Sequence, residues 1–190
     1  MIKSITQLRI KQSRTYPFIR GLLKPQISTD QSGITDYYLW DNFWALSAID
    51  NAGKIAKLLE KDQKRISYIK LRNQLMTSID LFCEYIEERK TKHPILPISP
   101  NSYSDPRLIE TLICIYPLKL LDPFDKRVAK TLEWIESHYL VDGIFFNHSG
   151  PVGLSPFQNA HLAQVYLERR DPKLFSVLNS LLINLIVCFN

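Results

Sequence analysis

Glycine is scarce in this sequence: six residues against eleven prolines in a chain of 190. That shortage argues for long regular elements with sharp punctuation and against a loop-rich sandwich. Cysteine is also sparse. Cys83, Cys114 and Cys188 are far apart and set among aliphatic or aromatic neighbours, so they read as buried thiols with no disulfide framework. No His/Cys/Asp set has metal-ligand spacing and no glycine-rich phosphate loop is present, so no metal and no other cofactor is expected. Alternating apolar and polar residues never run far enough for a sheet, and only GIFFNHSG, 143–150, has room for a short extended piece.

Acid is absent from the first 29 residues, which carry Lys3, Arg9, Lys11, Arg14, Arg20 and Lys24. These cations are too dispersed for phosphate binding, so no nucleic-acid partner is expected. Residues 1–35 read as a basic, solvated lead-in to a domain spanning 36–190. The N-terminus is polar where a signal peptide would be apolar, and too poor in serine for a good transit peptide. The longest apolar run, near the C-terminus, is broken by Asn179, Ser180 and Asn184, so no membrane span is expected. The expected compartment is cytoplasmic and reducing.

What the chain does have is helical periodicity. Tyr68, Leu71, Leu75, Ile79, Phe82 and Ile86 step by three or four, as do Phe124, Val128, Leu132, Ile135 and Tyr139. Asp105-Pro106, Asp122-Pro123, Ser155-Pro156 and Asp171-Pro172 each join a capping side chain to a proline suited to the first helical position. These signals predict helices at 37–60, 63–91, 106–119, 123–139, 156–169 and 172–188. The first, third and fifth are apolar nearly all round, and the second and fourth are charged on one face. The chain is therefore expected to be all-α, with three helical hairpins forming an incomplete α/α toroid of inner and outer layers. An α-solenoid is the alternative, but the irregular connections at 92–105 and 140–154 suit it poorly. The sixth helix has only Lys173 for charge and the chain stops while still apolar. The expectation is a truncated toroid that self-associates through exposed inner-helix faces or through this last helix.

The densest aromatic cluster is DYYLWDNFWALSAI, 36–49, with Tyr37, Tyr38, Trp40, Phe43 and Trp44 around Asp41. Sugar rings stack their C–H faces on aromatic side chains. A carboxyl desolvated among aromatics has a raised pKa, as a general acid for glycosidic cleavage requires. Asp41 reads equally as a helix cap and the aromatics as core. Glycoside hydrolysis needs a second carboxylate, for which Asp36, Asp105, Asp142 and Glu110 are candidates. Asp105 is also a plain cap for its proline-started helix, and Glu110 a buried partner for Arg107. Gln158, Asn159 and His161 open the fifth helix and could bond sugar hydroxyls, although His161 also suits a core position.

The WDNFW stretch resembles the six-hairpin glycosidase superfamily, the (α/α)6 toroids, and most nearly trehalases and the processing α-glucosidases of glycoside hydrolase family 63. YPLKLL, 116–121, and SPFQNAHLAQVYLERRD, 155–171, look like hairpin segments of the same proteins. The resemblance implies an inverting hydrolase of glucosidic oligosaccharides with Asp41 as catalytic acid. The residues themselves offer Tyr38, Trp40, Phe43, Trp44, Asp105, Glu110, Gln158, Asn159 and His161 as candidates to contact an oligosaccharide ligand. The base of such enzymes comes from a later hairpin, so an inactive, truncated form is part of the expectation. A helical-repeat interaction module without catalysis is the competing reading.

Overall fold

The structure is a computed structural model. It describes residues 5, 7, 9–10, 17–27, 34–148 and 153–188, with side chains through 183. The chain is mainly helical with a few short strands, and it divides into two compact units.

The first unit runs through residue 92 and takes in 99–101. It is built on a helical hairpin, α1 (Leu39–Leu58) packed on α2 (Asp62–Ile86). Phe43, Leu46 and Ile49 from α1, and Leu75, Ile79, Phe82 and Ile86 from α2, are fully buried. Burial of each such side chain contributes about 1.5–3 kcal/mol. The hairpin turn is a Schellman motif: Lys61 N–H donates to the Ala56 carbonyl at 2.8 Å and Glu60 N–H to Lys57 at 3.1 Å. Glu60 takes the left-handed conformation, φ 53°, that glycine usually fills there. Beyond Ile86 the helix widens into a π turn (Glu87–Thr91) and ends at Lys92.

Part of the basic lead-in is packed and not solvated. Ile19, Leu22 and Leu23 are buried, Phe18 stacks on Tyr85 at 3.6 Å between ring centroids, and β1 (Gln26–Ile27) pairs antiparallel with β2 (Thr35–Asp36). Lys3, Lys11 and Arg14 lie outside the described residues.

The second unit holds 93–98 and 102 onward. A 3-10 helix (Pro106–Cys114) is followed by α3 (Lys126–Tyr139) and an antiparallel sheet of β3 (Leu140–Val141), β4 (Ile144–Asn147) and β5 (Gly153–Leu154). The hairpin of α4 (Pro156–Glu168) and α5 (Lys173–Cys188) completes it. Asp142 (φ 50°) and Gly143 (φ 81°) make the two-residue β3–β4 turn, whose right-handed twist requires positive φ at both positions. The α4–α5 turn repeats the Schellman motif, with Asp171 N–H donating to Tyr166 at 2.9 Å, Arg170 N–H to Leu167 at 3.0 Å, and Arg170 left-handed at φ 54°.

Three expectations change. The helix predicted over 106–119 is a 3-10 helix ending at Cys114. The helix predicted from 123 starts at Lys126, because Asp125, not Asp122, caps it by accepting from Arg127 N–H at 2.8 Å. The helices predicted to be buried on all sides expose apolar residues: Trp44, Ile55 and Leu58 on α1, and Phe157 and Leu167 on α4. Cys83 and Cys114 are buried thiols, as their neighbours suggested. Among the described residues no helix is long and apolar enough to cross a membrane, and no group of three or more His, Cys, Asp or Glu is placed to hold a metal ion.

Candidate functional site

The WDNFW stretch forms the first turns of α1 and divides by helical phase. Tyr38 is the N-cap, so Asp41 lies inside the first turn and caps nothing. At about 100° per residue, Asn42 and Phe43 turn one way and Trp40, Asp41 and Trp44 the other. Phe43 is fully buried; Tyr38 is 6% exposed, with its hydroxyl donating to the Ile34 carbonyl at 2.9 Å. These two candidates are core. Trp44 is 44% exposed and meets Trp40 edge-on, ring centroids 5.9 Å apart at 66°. Asp41, half-buried beside them, has a carboxyl pushed above the usual range by burial. The first unit thus presents one carboxyl and two indoles on a single helix face.

Asn42 holds that face in place. Its Oδ1 accepts from Leu23 N–H at 3.0 Å and its Nδ2 donates to the Tyr38 carbonyl at 2.8 Å, so the buried side chain ties the incoming strand segment to the helix start. Asn159 does the same in the second unit. Its Oδ1 accepts from Phe145 N–H at 2.8 Å, and its Nδ2 donates to the Phe145 carbonyl at 2.9 Å and the Ser155 carbonyl at 3.0 Å. Each asparagine is the fourth residue of its helix, counted from the N-cap residues Tyr38 and Ser155. The two hairpins therefore share an asparagine staple at the mouth and a Schellman motif at the turn. By that correspondence Gln158 matches Asp41 and His161 matches Trp44. The shared Asn in LWDNFWAL and PFQNAHLA is the signal that sequence reasoning passed over.

The other acids have structural partners. Asp36 is buried; its Oδ1 accepts from Tyr37 N–H at 2.9 Å and its Oδ2 from Asn101 N–H at 3.4 Å. Asp105 caps the 3-10 helix, accepting from Arg107 N–H at 2.9 Å, and pairs with the Arg107 guanidinium at 2.7 Å and the Ser102 hydroxyl. Burial pushes its carboxyl up, but the bonds from Arg107 and Ser102 outweigh that and hold it below the usual range. Arg107 thus pairs with Asp105. Glu110 is half-buried on the 3-10 helix and Asp142 is exposed in its turn. Gln158 is half-buried, with its N–H donating to the Ser155 hydroxyl at 3.3 Å.

His161 is largely enclosed, and its Nε2 is buried without a hydrogen bond of normal length. Burial lowers its pKa, opposed by the nearby carbonyls of Leu112 and Tyr116. A neutral imidazole in that setting suits a packed position more than proton transfer at neutral pH.

Asp41, Trp40 and Trp44 are thus brought together; Tyr38, Phe43 and Asn159 are built into the packing. Asp105, Glu110, Gln158 and His161 belong to the second unit. Compared with known proteins, the chain matches no family model and no curated protein.

Proposed function

We propose that the chain is a carbohydrate-binding protein of the six-hairpin glycosidase type. In this reading Trp44 and Trp40 carry the apolar face of a sugar and Asp41 is the general acid toward a glucosidic bond. The carrying observation is a carboxyl with a burial-raised pKa on the same helix face as an exposed indole. A carboxyl that holds its proton can donate it to the glycosidic oxygen as the bond breaks; the indole beside it excludes water and orients the ring. Inversion would need a second carboxylate roughly 6.5–9.5 Å away to activate water, and we assign that role to no residue. The finer architecture we propose is part of an α/α toroid, supported by the shared design of the α1–α2 and α4–α5 hairpins. A reducing, cytoplasmic setting accords with the buried thiols Cys83 and Cys114.

Calorimetric titration with an α-linked glucose disaccharide tests the reading. Trp44→Ala is expected to weaken binding about tenfold, the loss of one aromatic stacking contact. Asp41→Asn is expected to bind but to remove any hydrolysis. No binding by the wild type, or equal binding by Trp44→Ala, refutes it.

A second reading is favoured by α5, where Phe175, Leu178, Leu182 and Ile183 are exposed on an almost uncharged helix. That surface suits an interaction module or a self-associating chain. Sedimentation velocity separates the readings: Phe175→Ser/Leu182→Ser should abolish a dimer if α5 forms it, and leave a monomer unchanged if it does not.

A further inference from the structure

A concave surface lies in the first unit, away from the Asp41 face. It is a cleft of about 190 Å³ between α1 and α2. Its apolar wall comes from Ile49, Tyr68 and Ile69, and Lys54, Lys57, Arg65 and Arg72 surround it with one acid, Asp50. Asp50 is occupied on both oxygens, by Lys54 at 3.1 Å and by Arg72 at 3.1 Å. Among the described residues Lys57 and Arg65 have no ion pair. The acids of the hairpin turn, Glu60 and Asp62, do not line the cleft. The arrangement is an apolar floor whose lining includes two cationic side chains that make no ion pair among the described residues.

We propose that this cleft binds a small phosphomonoester with an aromatic or branched apolar body. The size fits, since a cavity of about 150 Å³ accepts benzene. The charge fits, since a phosphomonoester carries about −1.5 to −2 at neutral pH and would face two cations. Arg65 offers the planar fork that suits two phosphate oxygens, and Lys57 a point charge. Tyr68 offers a ring face to the body. The cleft is independent of the sugar site: Lys57 lies about 24 Å along α1 from Asp41 at the helical rise. It therefore stands or falls apart from the proposed function.

The test is titration of the full chain with phenyl phosphate at low salt, followed by amide chemical shifts. Saturable shifts confined to cleft residues are expected, with inorganic phosphate and benzyl alcohol each binding about tenfold weaker or less. Lys57→Gln/Arg65→Gln should weaken phenyl phosphate by about tenfold or more, while Lys61→Gln/Lys64→Gln, with the same charge removed outside the cleft, should bind like the wild type. Lys57, Lys61 and Lys64 are exposed and Arg65 is half-buried, and circular dichroism verifies that both variants are folded. No saturable binding by the wild type overturns the proposal, as does equal loss in both variants, which would mean attraction to net charge alone. Inorganic phosphate binding as tightly as phenyl phosphate overturns the apolar part.

Discussion

Replacing Asn159 by alanine tests whether the staple holds the second unit together. Phe145 is fully buried, and both its N–H and its carbonyl are bonded to the Asn159 amide, at 2.8 and 2.9 Å. In the variant both groups stay buried and lose these partners. Each orphaned group costs about 1–3 kcal/mol, and the better helix propensity of alanine returns about half a kcal/mol. The Ser155 carbonyl keeps the Asn159 N–H at 3.1 Å and adds little. The expected net loss is about 1.5–5.5 kcal/mol, a large part of the ~5–15 kcal/mol of a typical domain. Urea unfolding at 25 °C, with midpoint and slope both fitted, measures it. Asn42→Ala orphans one such group, Leu23 N–H, and with the same propensity gain should cost less, about 0.5–2.5 kcal/mol. A loss under about 1 kcal/mol for Asn159→Ala would mean that Phe145 finds other partners and the staple is incidental.

Three further outcomes follow from the same structure. The Asp41 carboxyl is raised in the fold, so the folded state holds its proton longer than the unfolded one. Stability from this group is therefore full below the ordinary carboxylate pKa and lost as pH rises through the folded value. Asp41→Asn should be more thermostable than the wild type at pH 7, with the gap closing below pH ~4. Asp105 has the opposite sign: its lowered pKa stabilises above the ordinary value and is lost as pH falls. Asp105→Asn should cost about 1.5–3 kcal/mol at neutral pH, with the gap shrinking in acid unfolding curves. Glu60→Gly relieves a left-handed non-glycine residue and should raise stability by about 0.5–1 kcal/mol in thermal unfolding.

Helix starts were legible where a cap and a proline spoke alone. Asp105-Pro106 and Ser155-Pro156 open helices in the positions read from the sequence. Asp122-Pro123 failed because a second aspartate follows three residues later. The Asp122 carboxylate accepts from Phe124 N–H at 2.7 Å and its carbonyl from Asp125 N–H at 2.9 Å in a local turn, and Asp125 takes the cap, with Arg127 folded onto its carboxylate at 2.8 Å. Over 106–114 the polar residues Arg107, Glu110 and Thr111 recur at spacings of three and four, so within nine residues a repeat of 3.0 cannot be told from 3.6. In the aromatic cluster, composition marked the stretch but could not say which rings face inward. Helical phase assigns Phe43 to the core and Trp44 to the surface, and the buried Tyr38 bonds to Ile34. The shared asparagine is visible in the sequence but its partners are not, because each staple joins residues 14 or 19 apart through one side chain.

We propose above that the Asp41 face of α1 takes a sugar, and the indole N–H resonances report on such binding directly. The chain has three tryptophans; Trp40 and Trp44 flank Asp41, while Trp134 lies on α3. Titration with an α-linked glucose disaccharide should shift the Trp40 and Trp44 signals along one saturable curve and leave Trp134 still, with assignments from single Trp→Phe variants. No movement at any indole, or equal movement at all three, would contradict the claim.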